Sequence, residues 1–179
     1  LIYFILIYYM KKVCIQGNSN IKKIVPDQYD STRKDFKKYD ISDEIMQHTK
    51  QIEIINKLYL NVVNENEKLF NKFINEKLSS YKQQDIKNHI YGEKFFVTNS
   101  NVVELLVECK LKCYYCNGNV GVVYKEIKDK KQWTLDRINN DMGHNFGNLV
   151  ISCLDCNLKR RNTDMNKFLF TKKLNIIKN

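Results

Sequence analysis

Proline and histidine are scarce in this chain: Pro26 is the single proline, and His48, His89 and His144 are the only imidazoles in 179 residues. Repeats and low-complexity blocks are absent, which leaves a globular composition with 43% hydrophobic and 28% charged residues. Long apolar runs are missing too. The apolar opening Leu1–Met10 (LIYFILIYYM) is half the roughly 20 residues that a membrane span needs. Lys11 and Lys12 follow it, on the wrong side for a signal peptide. The first methionine is Met10, so Leu1–Tyr9 reads as upstream translation or a fragment edge, with a weak interfacial anchor as the alternative. No membrane partner is expected, and the oligomeric state is left open.

Acidic residues are lacking at one end only. The chain carries a net charge of +10. Beyond residue 156 there are seven basic residues, Lys159, Arg160, Arg161, Lys167, Lys172, Lys173 and Lys178, against Asp164 alone. A basic excess concentrated in one segment favours a polyanionic partner over a diffuse solubility charge. Disulfide spacing is lacking as well. Four of six cysteines form two tight pairs, Cys113-Tyr-Tyr-Cys116 and Cys153-Leu-Asp-Cys156, which suits metal chelation and a reducing intracellular compartment, cytoplasm or nucleus, not secretion. Cys109 lies in an apolar run and reads as a core residue; Cys14 is left over.

The periodicity predicts an α+β chain in three parts. Residues 1–39 read as an irregular segment and 40–92 as a helical region started by Asp40 or Ser42. Its stripe (Ile45, Ile52, Ile55, Leu58 and later Phe70, Phe73, Ile74, Leu78, Tyr81) is interrupted by Asn64-Glu-Asn-Glu67, so two helices or one bent helix fit. His48 and His89 read as surface residues. From 93 to 179 a cysteine-bearing domain is expected. It has a helix capped by Ser100, strands at Val120–Tyr124, Gln132–Ile138 and Asn148–Ser152, a helix from Asp155 to about Asn162, and a basic tail.

Four thiolates in two chelating pairs suit a structural zinc ion. Cys113-x-x-Cys116, Leu135-Asp136-Arg137-Ile138, Gly143-His144, Asn148-Leu149-Val150 and Cys153-x-x-Cys156-Asn157-x-x-Arg160 follow one another over residues 100–173. In that order they resemble the HNH endonucleases of the His-Me finger group in their four-cysteine zinc version. The resemblance implies a small zinc-stabilised ββα-metal domain that hydrolyses DNA phosphodiesters with one divalent cation, Mg²⁺ or similar. Asp136 and Asn157 match the family's cation ligands, and Asn148 the asparagine that ties the loop through its backbone. Lys159, Arg160 and Arg161 lie where the family's helix approaches phosphates, and Lys172 and Lys173 extend that basic surface.

One position departs from the pattern. Arg137 stands where the family has its general-base histidine, and a guanidinium has no acceptor with which to activate water. Arg137 is left a phosphate-clamping role. His144, the one imidazole in this half, becomes the candidate base; its alternative is packing or capping the loop. Three readings follow: a metal-dependent DNA endonuclease, a catalytically degenerate zinc-stabilised DNA-binding protein, and a module for protein assembly.

Overall fold

A computed structural model describes residues 39–173, an arrangement of helices around one small sheet. The irregular segment expected over 1–39 lies outside the described residues save for Tyr39, as do Cys14 and the end of the basic tail.

The polar Asn64–Glu67 stretch separates two helices. After α1 (Asp43–Met46), α2 (His48–Tyr59) buries Gln51, Ile54 and Ile55, then stops where Asn61 turns to a φ of 54°. Asn64 Oδ1 accepts from the backbone of Asn66 at 2.9 Å, and that turn starts α3 (Glu67–Lys87). α3 buries Phe70, Phe73, Ile74 and Leu78 on one face, and the same face continues two turns further to a fully buried Asp85. α4 (Asn99–Glu108) is capped by Thr98, two residues before the expected cap. Thr98 and Asn101 exchange hydrogen bonds as a capping box, a reciprocal pairing that Ser100 could not make.

β1 (Trp133–Arg137) and β2 (Leu149–Cys153) pair antiparallel, with Trp133 opposite Cys153 and Arg137 opposite Leu149. The strand expected at Val120–Tyr124 is absent; only Gly121 makes a bridge, to Gln132. The physical reason is Gln51. Its Oε1 accepts from the backbone of Val122 (2.7 Å) and Val123 (3.3 Å), and its Nε2 donates to the Val123 carbonyl. A side chain from α2 thus takes the groups that a strand neighbour would have used. The chain closes with α5 (Leu154–Arg160) and α6 (Met165–Lys173).

The buried core runs across residue 92 without a break, joining Ile54, Phe70 and Ile74 to Leu106, Leu111, Trp133 and Leu135. α3 docks on β1 through polar contacts as well. Tyr81 Oη accepts from the Leu135 backbone at 3.0 Å, and Lys77 donates to the Trp133 carbonyl while lying over the Tyr124 and Trp133 rings. Burial pushes the Lys77 ammonium down to about 7. Among the described residues no helix is long and apolar enough to cross a membrane.

Candidate functional site

Each cysteine pair is shaped by its own backbone. Asn117 adopts a φ of 55° after the first pair, which lets the Cys113 amide donate to the Gly118 carbonyl at 2.8 Å. Cys153 ends β2 and caps α5, its sulfur accepting from the Cys156 amide at 3.4 Å. β2 and the first pair meet where Tyr114 donates to Ile151. The four sulfurs consequently lie within 4.8 Å of one another, and Cys116 and Cys153 are 3.9 Å apart. Tetrahedral zinc with bonds of about 2.3 Å requires sulfurs about 3.8 Å apart. The cluster is close enough to bind one metal ion such as zinc. Burial pushes the Cys153 thiol up to about 11, so a metal arriving there must displace a proton.

The remaining candidates gather elsewhere. A pocket of about 200 Å³ is lined by Asp136 and Arg137 from β1, His144 from the connecting loop, Asn157 from α5 and Arg161 just after it. The loop is drawn tight by Asn148: its Oδ1 accepts from Asn139, and its Nδ2 donates to the Asn139 and Gly143 carbonyls at 3.0 and 3.1 Å. Asn157 Nδ2 donates to Thr134 Oγ1 (3.1 Å) and to the Leu135 carbonyl (3.3 Å), so the amide is anchored by its nitrogen and its oxygen is left over. Arg137 Nη1 donates to the Met142 carbonyl at 3.2 Å.

His144 is 3% exposed. Its Nδ1 lies 2.8 Å from Asp85 Oδ1, its backbone N–H donates to Asp85 Oδ2 at 2.6 Å, and its ring stacks on Tyr81 at 4.4 Å. Burial lowers its pKa below the ordinary histidine range, against the opposing pull of Asp85, and the Arg137 charge adds to the lowering. The lowering favours the neutral form of the imidazole.

Two expected roles are altered by what the side chains touch. Arg160, expected at DNA phosphates, is fully buried. Its Nη1 donates to Asp136 Oδ1 at 2.6 Å and to the Arg137 carbonyl at 2.7 Å, and its Nη2 donates to the Ile138 carbonyl. A guanidinium held there presents no charge to solvent. Asp136, expected as a cation ligand, accepts from Arg160 on one oxygen and from Tyr115 Oη at 2.6 Å on the other. Each oxygen keeps one further lone pair, and the carboxylate's charge is already compensated.

Of the other basic candidates, Arg161 and Lys172 are exposed. Lys159 is exposed but paired with Asp155 at 2.6 Å. Lys173 closes α6, and its side chain lies outside the described residues. His48 is half-buried with its Nε2 donating to the Leu111 carbonyl at 3.1 Å, while His89 is exposed. Cys109 packs against the core.

Asp85, Tyr81 and Tyr115 were not anticipated. Tyr115 lies inside the first cysteine pair and so links that cluster to Asp136. The signal for Asp85 was its place four residues after Tyr81 on an otherwise apolar stripe. No family model, no curated protein and no solved structure matches the chain.

Proposed function

We propose that this protein is an HNH-type endonuclease that hydrolyses DNA phosphodiester bonds with the help of a divalent cation. The observation that carries the reading is the pocket itself: an imidazole oriented by Asp85 shares it with a carboxylate, an amide oxygen and two guanidinium groups. His144 Nε2 has no hydrogen bond among the described residues and takes the proton of the attacking water. As the water oxygen bonds to phosphorus, the bond to the leaving sugar oxygen breaks, and Arg137 and Arg161 compensate the charge on the phosphate. Asp136, through the lone pairs left beside its bonds to Arg160 and Tyr115, and the free oxygen of Asn157 would hold a hard cation such as Mg²⁺. When bound, that cation neutralises charge that develops during cleavage. The four cysteines hold structural zinc.

The test is plasmid nicking in Mg²⁺, with and without chelator. His144→Ala should slow cleavage by roughly 10²–10⁴, the usual worth of a positioned base. Because burial lowers the His144 pKa, the base form persists below pH 6.5, and the rate should fall only as the pH drops through that lowered value. Wild-type cleavage that survives His144→Ala with an unchanged pH profile would remove the imidazole from the reaction.

A second reading, a DNA-binding protein without catalysis, is favoured by the Arg160–Asp136 pair, which compensates the charge that would attract a cation. Both readings need phosphate contacts, and these should come from Arg161 and Lys172 rather than Arg160. Replacing both with glutamine should reduce the slope of log K against log salt by about 1.8, two phosphates at roughly 0.9 each. An unchanged slope places the phosphates elsewhere on the protein. Binding without nicking under any divalent metal decides for the second reading.

A further inference from the structure

Helix α3 has no assigned part in the chemistry, yet its last buried turn reaches the pocket. Tyr81 and Asp85, four residues apart and so on one face, grip His144 from two directions: the tyrosine ring stacks on the imidazole, and the carboxylate spans its Nδ1 and its backbone N–H. The loop can come this close only because residue 143 is glycine. A Cβ there would lie 2.6 Å from the Ile90 carbonyl oxygen and 2.8 Å from Asp85 Oδ2. A fully buried carboxyl group with both oxygens committed to one histidine is a holder of that histidine.

We infer that Asp85 is the positioning residue of the site: it fixes the tautomer of His144 with the proton on Nδ1, leaving Nε2 as the acceptor toward the pocket. The inference rests on the nuclease reading for its consequence in rate, not for the tautomer. The groups facing the imidazole are Asp85 and Tyr81 from α3 and Arg137 and Asp136 from β1. Of these, Asp85 alone makes a hydrogen bond to the ring among the described residues. A carboxylate accepts and cannot donate, so the nitrogen bonded to it carries the hydrogen.

The backbone bond makes Asp85→Asn decisive. The His144 N–H needs an acceptor, which turns the asparagine oxygen toward it and the NH₂ group toward Nδ1. Nδ1 must then accept, and the proton moves to Nε2. The corresponding Asp→Asn change in a Ser-His-Asp triad lowers kcat by about 10⁴ through the same wrong tautomer.

The experiment is nitrogen NMR of histidine-labelled full chain at neutral pH, paired with single-turnover cleavage in Mg²⁺. Wild type should carry the His144 proton on Nδ1, and Asp85→Asn should carry it on Nε2. Cleavage should fall by roughly 10²–10⁴ in the variant with little change in DNA affinity. A wild-type proton on Nε2 overturns the inference without any variant having to fold. So does a folded Asp85→Asn that keeps the wild-type tautomer. Wild-type protein that leaves DNA intact overturns the nuclease reading instead, and the two tautomers still decide the role of Asp85.

Discussion

Cys153→Ser should abolish the native fold, and purified wild-type protein should contain one zinc per chain. The residue closes the hairpin opposite Trp133, caps α5 through its sulfur, and contributes one corner of the four-sulfur cluster. Serine preserves the hairpin position and offers a cap, so the expected loss is that of the metal. Structural zinc binding is worth about 10–16 kcal/mol in small metal-dependent units at neutral pH, comparable with the whole stability of about 5–15 kcal/mol of an ordinary domain. The core gives this loss a wide reach. Cys113, Cys153 and Cys156 belong to the same buried cluster as Phe70 and Ile54 of the helices, so the helices should melt with the cysteine-bearing half in one transition. Circular dichroism melts in the presence of a strong chelator should reproduce the variant. Cys109→Ser, which replaces a thiol outside the four-sulfur cluster that donates to the Leu106 carbonyl, should change little. Metal-free protein with an unaltered melt would mean that the sulfurs are merely neighbours.

What was legible in the sequence was local. The hairpin strands, the break between α2 and α3 and the pairing of the cysteines follow from alternation, a polar interruption and spacing, each visible within a few residues. The Val120–Tyr124 segment reads as a strand because it is apolar and β-branched, but the backbone of Val122 and Val123 bonds to Gln51, some seventy positions earlier. Such a partner has no local signature. Asp85 and His144 are separated in the same way. Half of that pair was nonetheless readable: a carboxylate on the stripe Phe70, Ile74, Leu78, Tyr81 must either end the helix or meet a partner inside. Arg160 also carried a signal. It lies four residues after Cys156 and hence on the same face of α5, and a cysteine that faces the cluster turns Arg160 inward. Arg161, one residue on, is the exposed member of the pair. Helix phase, not charge count, separates the two arginines.

That inward arginine governs what Asp136→Ala does. Removing the carboxylate strands a guanidinium that is 0% exposed and whose Nε already lacks a partner among the described residues, and it also deprives the Tyr115 hydroxyl of its acceptor. Breaking a buried ion pair from one side costs about 3–5 kcal/mol. In a chain of this size that corresponds to a fall of roughly 6–20 °C in Tm, at about 2–4 °C per kcal/mol. Asp136→Asn should lose less, because the amide oxygen still accepts one of the two bonds. Replacing the pair together, as Asp136→Leu with Arg160→Met, leaves no buried charge and should be more stable than Asp136→Ala alone. Thermal melts of the three variants check the ordering. If the double variant is instead less stable than Asp136→Ala, the stranded guanidinium is not what makes the single change costly, and the pair does not hold β1 to α5. The same ordering decides how an inactive variant is read. Loss of cleavage in Asp136→Ala follows from a collapsed pocket whether or not Asp136 touches a cation. Only folded Asp136→Asn, with its melt close to wild type and its charge removed, isolates the contribution of that oxygen to the chemistry.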